Sequence, residues 1–321
     1  MRLACTWLVP IYLAAYVVAQ STRSTSSGSA APSLGQNVTG PPLVNDTQTP
    51  LNGTNGTEPR SRPPLPPGFV NPLDSDDGSM LAFFHHEDPF GEPLNVIVSS
   101  MSSKDVLNPE GFLVWVTALG FGVSCLGQGD NSSFQYADLG AGNMNVRQGS
   151  VSGNNGVMRW NYGMPSVGTC KETVVGGNHF RWFQQHSSNG TAMFLATSFE
   201  EPLSQQHTVQ KDGYNRGRDN VVQIATQPNG VEWQGNEYNA TVAWVPAGRL
   251  LNATSKGINH PEVAPKGGTA IDGRVAVLNV TMIRSSDGAQ ASDAMLPYSP
   301  PFAVIGLLAI LTIFFLGLSG L

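Results

Sequence analysis

Charge is scarce in this chain of 321 residues: Asp, Glu, Lys and Arg make up 12% of it, against about 25% in an ordinary soluble protein. The 17 basic side chains are outnumbered by 23 acidic ones, for a net charge of -6. No basic field exists here to draw in nucleic acid, and no nucleic-acid partner is expected. Cysteine is nearly missing, with Cys5, Cys125 and Cys170 alone, which rules out a disulfide-dense scaffold. Also lacking are a Gly-x-Ser-x-Gly elbow, a His-Glu-x-x-His helix, a Walker loop and a Gly-x-Gly-x-x-Gly turn after a strand. Their absence argues against the familiar hydrolase and nucleotide-binding classes. The chain shows no internal repeat.

What is present points to export. Arg2 precedes an apolar stretch from Leu8 to Val18, and Val17-Val18-Ala19 supplies small residues for a signal peptidase, so residues 1–19 read as a signal peptide cleaved after Ala19. Asn-x-Ser/Thr sequons follow at Asn37, Asn45, Asn52, Asn55, Asn131, Asn189, Asn239, Asn252 and Asn279. In an exported chain this density predicts heavy glycosylation. Loss of Cys5 with the signal peptide leaves Cys125 and Cys170, for which the oxidising compartment favours one structural disulfide; two buried thiols are the alternative.

At the other end, Phe302 to Leu321 is one apolar tract with no Lys or Arg after it. At about 1.5 Å per residue a helix of this length just spans a bilayer core of roughly 30 Å, yet a stop-transfer helix normally keeps basic residues on its cytoplasmic side. The preceding residues are small (Ser285, Ser286, Asp287, Gly288, Ala289, then Ala291 to Ala294), followed by a spacer holding Pro297, Pro300 and Pro301. Small site, spacer and apolar tail together read as a glycosylphosphatidylinositol signal, with Asp287 or Ser292 as the attachment residue; a single C-terminal membrane helix is the alternative. Either way the expected location is the outer face of the plasma membrane or the cell wall, and the expected partners are the membrane and a cell-wall glycan or small anionic ligand.

Between the two ends, residues 20–79 are rich in Ser, Thr, Gly, Pro and Asn and read as a disordered glycosylated stalk and linker. Residues 80–284 hold about 200 positions, enough for one domain with a real core. Residues 285–301 are the anchor site and spacer, and 302–321 the tail.

Within the domain, Leu94, Val96 and Val98 alternate with Asn95, Ile97 and Ser99, which suits a strand. Asn108 is a fitting N-cap, Pro109 and Glu110 suit a first turn, and Phe112, Trp115, Val116 and Leu119 recur at helical spacing up to Gly120. Gly127 to Gly168 is dense in Gly and Asn, which favours loops and short hairpins. Strands are expected over 178–183 and 192–199, then a Gly-Tyr-Asn turn at 213–215 and a short helix over 218–226 with Val221, Val222 and Ala225 inward. Tyr238, Ala240, Val242 and Trp244 face one way and the Asn239 sequon the other. Asn279 likewise points out from a last strand whose Ala276, Leu278, Val280 and Met282 point in. Strands outnumber helices without βαβ alternation, so the expected fold is α+β, a mainly antiparallel sheet with a few short helices in one compact ectodomain.

For chemistry, His85-His86-Glu87-Asp88 offers imidazoles and carboxylates, but adjacent residues seldom converge on one ion. The stronger candidates lie in GGNHFRWF and QHTVQKDGYNRGRD. His179 and Arg181 share one strand face, against which His207, Asp212, Arg218 and Asp219 can close a polar cluster that binds an anion, with a His as acid or base. Alternatively Asp219 pairs with Arg181 or Arg218 to brace the sheet, and Asp212 only shapes the turn.

These residues carry a resemblance over Gly176 to Gln223. GNHFRWFQQ, the apolar AMFLATSFEE and QHTVQKDGYNRGRDNVV resemble the LssY carboxy-terminal-domain family, with its His-x-Arg strand, apolar strand, His-containing turn and Arg-Asp pair opening a helix. They are also similar to a group of secreted fungal proteins with GGNHFR and GYNxGRD segments. The matching positions are His179, Arg181, His207, Arg218 and Asp219. Where LssY-like members tend to carry His-His, this chain has Asn178-His179 and Gln206-His207, so half of any paired-His metal arrangement is missing. No metal or other cofactor is therefore expected. The resemblance transfers no established activity. The expected function is a glycosylated, lipid-anchored cell-surface protein with a surface or ligand-binding role. The alternative is an extracellular hydrolase or binding domain for a phosphate or sugar ligand at the His/Arg/Asp cluster, and whether the protein is an enzyme is left open.

Overall fold

The computed structural model describes residues 64–85, 88–123, 125, 134–149, 156–165 and 167–286, all in the unit that begins at Arg62. The signal peptide, the first four sequons, Asn131, both anchor candidates and the apolar tail lie outside these residues. Among the described residues no helix is long and apolar enough to cross a membrane.

Among the described residues the domain holds eleven strands and three α-helices. In chain order they are β1 (Leu81–Phe83), β2 (Glu92–Val98), α1 (Pro109–Ala118), β3 (Phe121–Val123), β4 (Tyr136–Ala137), β5 (Val146–Arg147), β6 (Val157–Trp160), α2 (Gly168–Val175), β7 (Gly177–Ser187), β8 (Gly190–Glu200), α3 (Gly213–Ala225), β9 (Val231–Trp233), β10 (Asn236–Val245) and β11 (Val275–Arg284). The sheet runs β3-β6-β7-β8-β2-β1-β4-β5 and is antiparallel except where β11 joins β2. It forks at β2: Glu92 and Pro93 pair with β1, whereas Val96, Ile97 and Val98 pair with β11, which leads on to β10 and β9. This is the expected α+β class.

The fork coincides with a bulge. Register against β8 slips between Leu94↔Ala196 and Val96↔Leu195, so Leu94 and Val96 enter different cores instead of the single face that their spacing predicts. Asn95 sits at the slip, buried. Its Nδ2 donates to the carbonyls of Thr197 and Tyr214, and its Oδ1 accepts from the Thr197 N–H and hydroxyl. A bulge interrupts the backbone ladder, and here an amide side chain replaces what was lost.

One core lies beneath α1, where Phe112 and Trp115 meet Trp182, Phe180, Leu195 and Leu278. The other gathers Leu94, Ile97, Phe183, Phe194 and Val277 under the loops carrying Leu250, Ile258 and Ile271. The α1 boundaries follow the sequence, with Asn108 Oδ1 accepting from the Gly111 N–H at 2.8 Å. α3 differs. The Gly-Tyr-Asn expected as a turn is its first helical turn, and it ends at Ala225, because Gly213 and Gly217 let the helix press on β8: a Cβ at Gly217 would stand 2.6 Å from the Ser198 Cα.

The domain also begins earlier than residue 80. Phe69 meets Phe194 edge-on at 6.1 Å, and Val70 exchanges backbone hydrogen bonds with the Gln185 side chain. Leu65 packs on the same core as Phe69, and the Gly68 carbonyl accepts from the Ser100 N–H. Cys125 and Cys170 form the expected disulfide, which ties α2 to the chain beyond β3.

Candidate functional site

Antiparallel pairing builds the centre. Register sets Arg159 of β6 opposite His179 of β7, and His179 opposite Ser198 of β8. Glu200 lies two residues beyond Ser198 and therefore on the same face. Two further groups come from outside these strands. α2 supplies Glu172, and its end is drawn onto β8 at Gly176, where φ is 80° and a Cβ would lie 2.4 Å from the Glu200 carbonyl oxygen. Only glycine fits there.

The loop after β8 returns His207. Glu201 N–H bonds the Thr208 carbonyl and Glu200 bridges to Val209, closing the loop on itself. Gln206 and His207 both hold left-handed backbone, with φ of 63° and 53°. Two successive non-glycine residues in this region are uncommon and carry strain, and here they aim one imidazole at the end of β8.

The resulting group is dense. Arg159 Nη1 donates to Glu172 Oε2 at 2.9 Å and to Glu200 Oε2 at 3.0 Å. His207 Nδ1 pairs closely with Glu200 Oε2, and its Nε2 lies 3.9 Å from Glu172 Oε1. His179 Nε2 lies 3.2 Å from Glu200 Oε1 without a well-formed hydrogen bond, and its Nδ1 is 3.5 Å from the Ser198 hydroxyl. The Glu172 side chain is fully buried, whereas those of His207 and Arg159 keep 15% and 20% of their exposure, so the centre has one wet edge.

Electrostatics separate the two carboxyls. Burial pushes Glu172 upward, and Arg159 only partly offsets it. Glu200 is buried too, but His179, His207 and Arg159 overcome that and hold it well below the usual carboxylate range. His207 is raised by its hydrogen bond to Glu200 against the pull of burial. His179 is driven down to about 4 by burial, only partly countered by Glu200. A carboxyl raised toward protonation beside one held ionised, with one imidazole raised and one lowered, can pass a proton, and the same donors can hold a cation once deprotonated.

Of the six sequence candidates, the structure brings His179 and His207 together. Arg181, on the same face, instead pairs with Glu92 of β2 at 2.9 Å. Arg218 is buried, with Nη1 and Nη2 on the two Asp272 oxygens at 2.5 and 2.9 Å and Nε on Asp219 at 2.8 Å. Arg274 and Arg218 also stand over the Trp244 ring. Asp212 precedes α3 with φ 58° and accepts from Asn215. These three groups brace α3 and the sheet. His85 is exposed, and its N–H bonds the Asp88 carboxylate.

Arg159, Glu172 and Glu200 escaped the sequence reading. Glu200 was within reach: Ser187 pairs with Gly190 across the Ser188-Asn189 turn, and counting outward from such a turn signal places it beside His179. Glu172 sits on a short helix without a side-chain cap, just beyond the Gly- and Asn-dense stretch of 127–168, where no helix is expected. Comparison with protein-family models, curated proteins and solved structures finds no match to the chain.

Proposed function

We propose that the protein is a glycosylated cell-surface protein, lipid-anchored through its C-terminal tail, whose α+β ectodomain serves a surface or ligand-binding role. One observation carries the reading. All four sequons within the described residues, Asn189, Asn239, Asn252 and Asn279, sit on exposed positions, although Asn239 and Asn279 interrupt strands whose neighbouring residues Tyr238, Leu278 and Val280 are buried. A glycan needs a solvent-facing asparagine, and chance placement in such strands would bury some of them. The likeness to the LssY carboxy-terminal-domain family belongs to the same reading, as the source of the domain and not of an activity.

The alternative, an extracellular hydrolase or anion-binding domain, draws its support from the contrast between Glu172 and Glu200 beside His207. The arginines offer it less, because Arg159, Arg181 and Arg218 each already hold carboxylates.

The test is expression of the full chain in a secretory host, followed by glycopeptide mapping and treatment of intact cells with phosphatidylinositol-specific phospholipase C. Occupied Asn189, Asn239, Asn252 and Asn279, with release into the medium, are the expected results. An intact 302–321 tail in the mature protein, with no release, would replace the lipid anchor by a membrane helix. Unoccupied sequons throughout would sink the surface reading itself.

A further inference from the structure

We propose that Glu172, Glu200 and His207 form a binding site for a zinc-class divalent cation, with Arg159 and His179 positioning its ligands. Each of the three offers a donor atom, and these lie within 4.8 Å of one another. Mixed imidazole and carboxylate donors are the set that zinc and its neighbours take.

A cluster of acids and a histidine is common without an ion, but two independent features set this one apart. Glu172 Oε1 is buried, aimed into the cluster, and has no hydrogen-bond partner, although the other oxygen of the same carboxyl is held by Arg159. A buried oxygen left without a partner is costly, and a cation supplies the missing one. The His179 Nε2 atom is likewise buried and unbonded, close to Glu200 Oε1. Both orphaned atoms thus belong to the same small centre.

The geometry is near what a metal requires. Bonds of about 2.1 Å in a tetrahedron put neighbouring ligand atoms about 3.4 Å apart. The Glu172 Oε1 to His207 Nε2 separation of 3.9 Å is close to that value, and the same Nε2 lies 3.4 Å from the Glu172 carbonyl oxygen. Arg159 does not block the site, because it occupies Oε2 of both carboxyls and neither Oε1 atom. With neutral imidazoles the two carboxylates and Arg159 sum to one negative charge, which a divalent ion converts to one positive. Fixing ligand carboxylates by an outer partner is how metal sites are ordinarily oriented, and the exposed edge at His207 and Arg159 gives an ion its way in.

The experiment uses the full-length protein from a secretory host, purified, stripped with EDTA and titrated with zinc sulfate by calorimetry. One equivalent should bind with micromolar or tighter affinity, and Glu172→Gln and His207→Gln should each weaken it at least tenfold. Cobalt in place of zinc should give visible absorption of a four-coordinate ion that is lost in both variants. On the unmutated protein, zinc should protect His207 from acylation by diethylpyrocarbonate, read by peptide mass spectrometry, so that the result does not depend on the variants folding. Absence of a bound equivalent, or a site that leaves His207 fully reactive, would overturn the proposal. Neither outcome bears on glycosylation or anchoring.

Discussion

A single nitrogen, Arg159 Nη1, joins Glu172 to Glu200 across the gap between α2 and the end of β8, at 2.9 and 3.0 Å. It is the only guanidinium shared by two buried carboxyls among the described ion pairs. Removing it leaves two negative charges facing each other with little water between them. Arg159→Met should therefore destabilise the metal-free protein by about 3 to 5 kcal/mol, read by urea denaturation in EDTA. Arg159→Lys should recover only part of the loss, because an ammonium is more strongly hydrated than a guanidinium and costs more to bury. A loss below about 1 kcal/mol for Arg159→Met would mean that water already satisfies the carboxyls.

The two histidines should titrate in opposite senses. His207 has a raised pKa in the fold, so its pairing contributes stability that is complete below the unfolded value of about 6.5. That contribution fades as pH climbs through the higher folded value. His179 is lowered to about 4: folding must keep it neutral, and this costs stability as pH falls from about 6.5 toward 4. The stability difference between the parent and His207→Gln, measured in EDTA, should be largest below pH 6.5 and shrink above neutrality. A difference independent of pH across that range would show that His207 contributes packing only.

Strand placement was legible in the sequence because burial and glycosylation impose the same parity: Asn239 and Asn279 must face out, and their neighbours then face in. The α1 cap was legible for a local reason, the short reach from Asn108 to Gly111. The centre was not. Glu172 and Arg159 join it through contacts between distant elements that leave no periodic trace, and Arg181 was drawn to Glu92 by the β2 register, which a bulge shifts. The candidate cluster thus mixed two residues of one site with four that close separate ion pairs and turns.

Arg181 tests that separation. Its partner Glu92 keeps only 8% of its side-chain exposure, so Arg181→Met strands a nearly buried carboxylate and should cost about 3 kcal/mol or more. Adding Glu92→Gln should restore much of it, since the second change removes the unpaired charge. Zinc affinity should stay within about threefold of the parent, because neither residue touches Glu172, Glu200 or His207. Additive destabilisation in the double variant would argue that the pair is not coupled.

The disulfide connects scaffold to site. Cys170 lies two residues before Glu172 on α2, a helix of eight residues with no side-chain cap, too short to persist on its own propensity. Its bond to Cys125 closes a sequence separation of 45, which restricts the unfolded chain by about 4 kcal/mol in the loop-entropy picture. Replacing both cysteines by Ser should lower stability by about 2 to 4 kcal/mol. It should also loosen α2 specifically, so that Glu172 is no longer held against Glu200. Hydrogen exchange should then rise over Gly168–Val175 more than over β7 and β8, and zinc binding should weaken in step with it. Uniform exchange across the domain with undiminished zinc binding would instead place the bond's effect wholly in the unfolded chain.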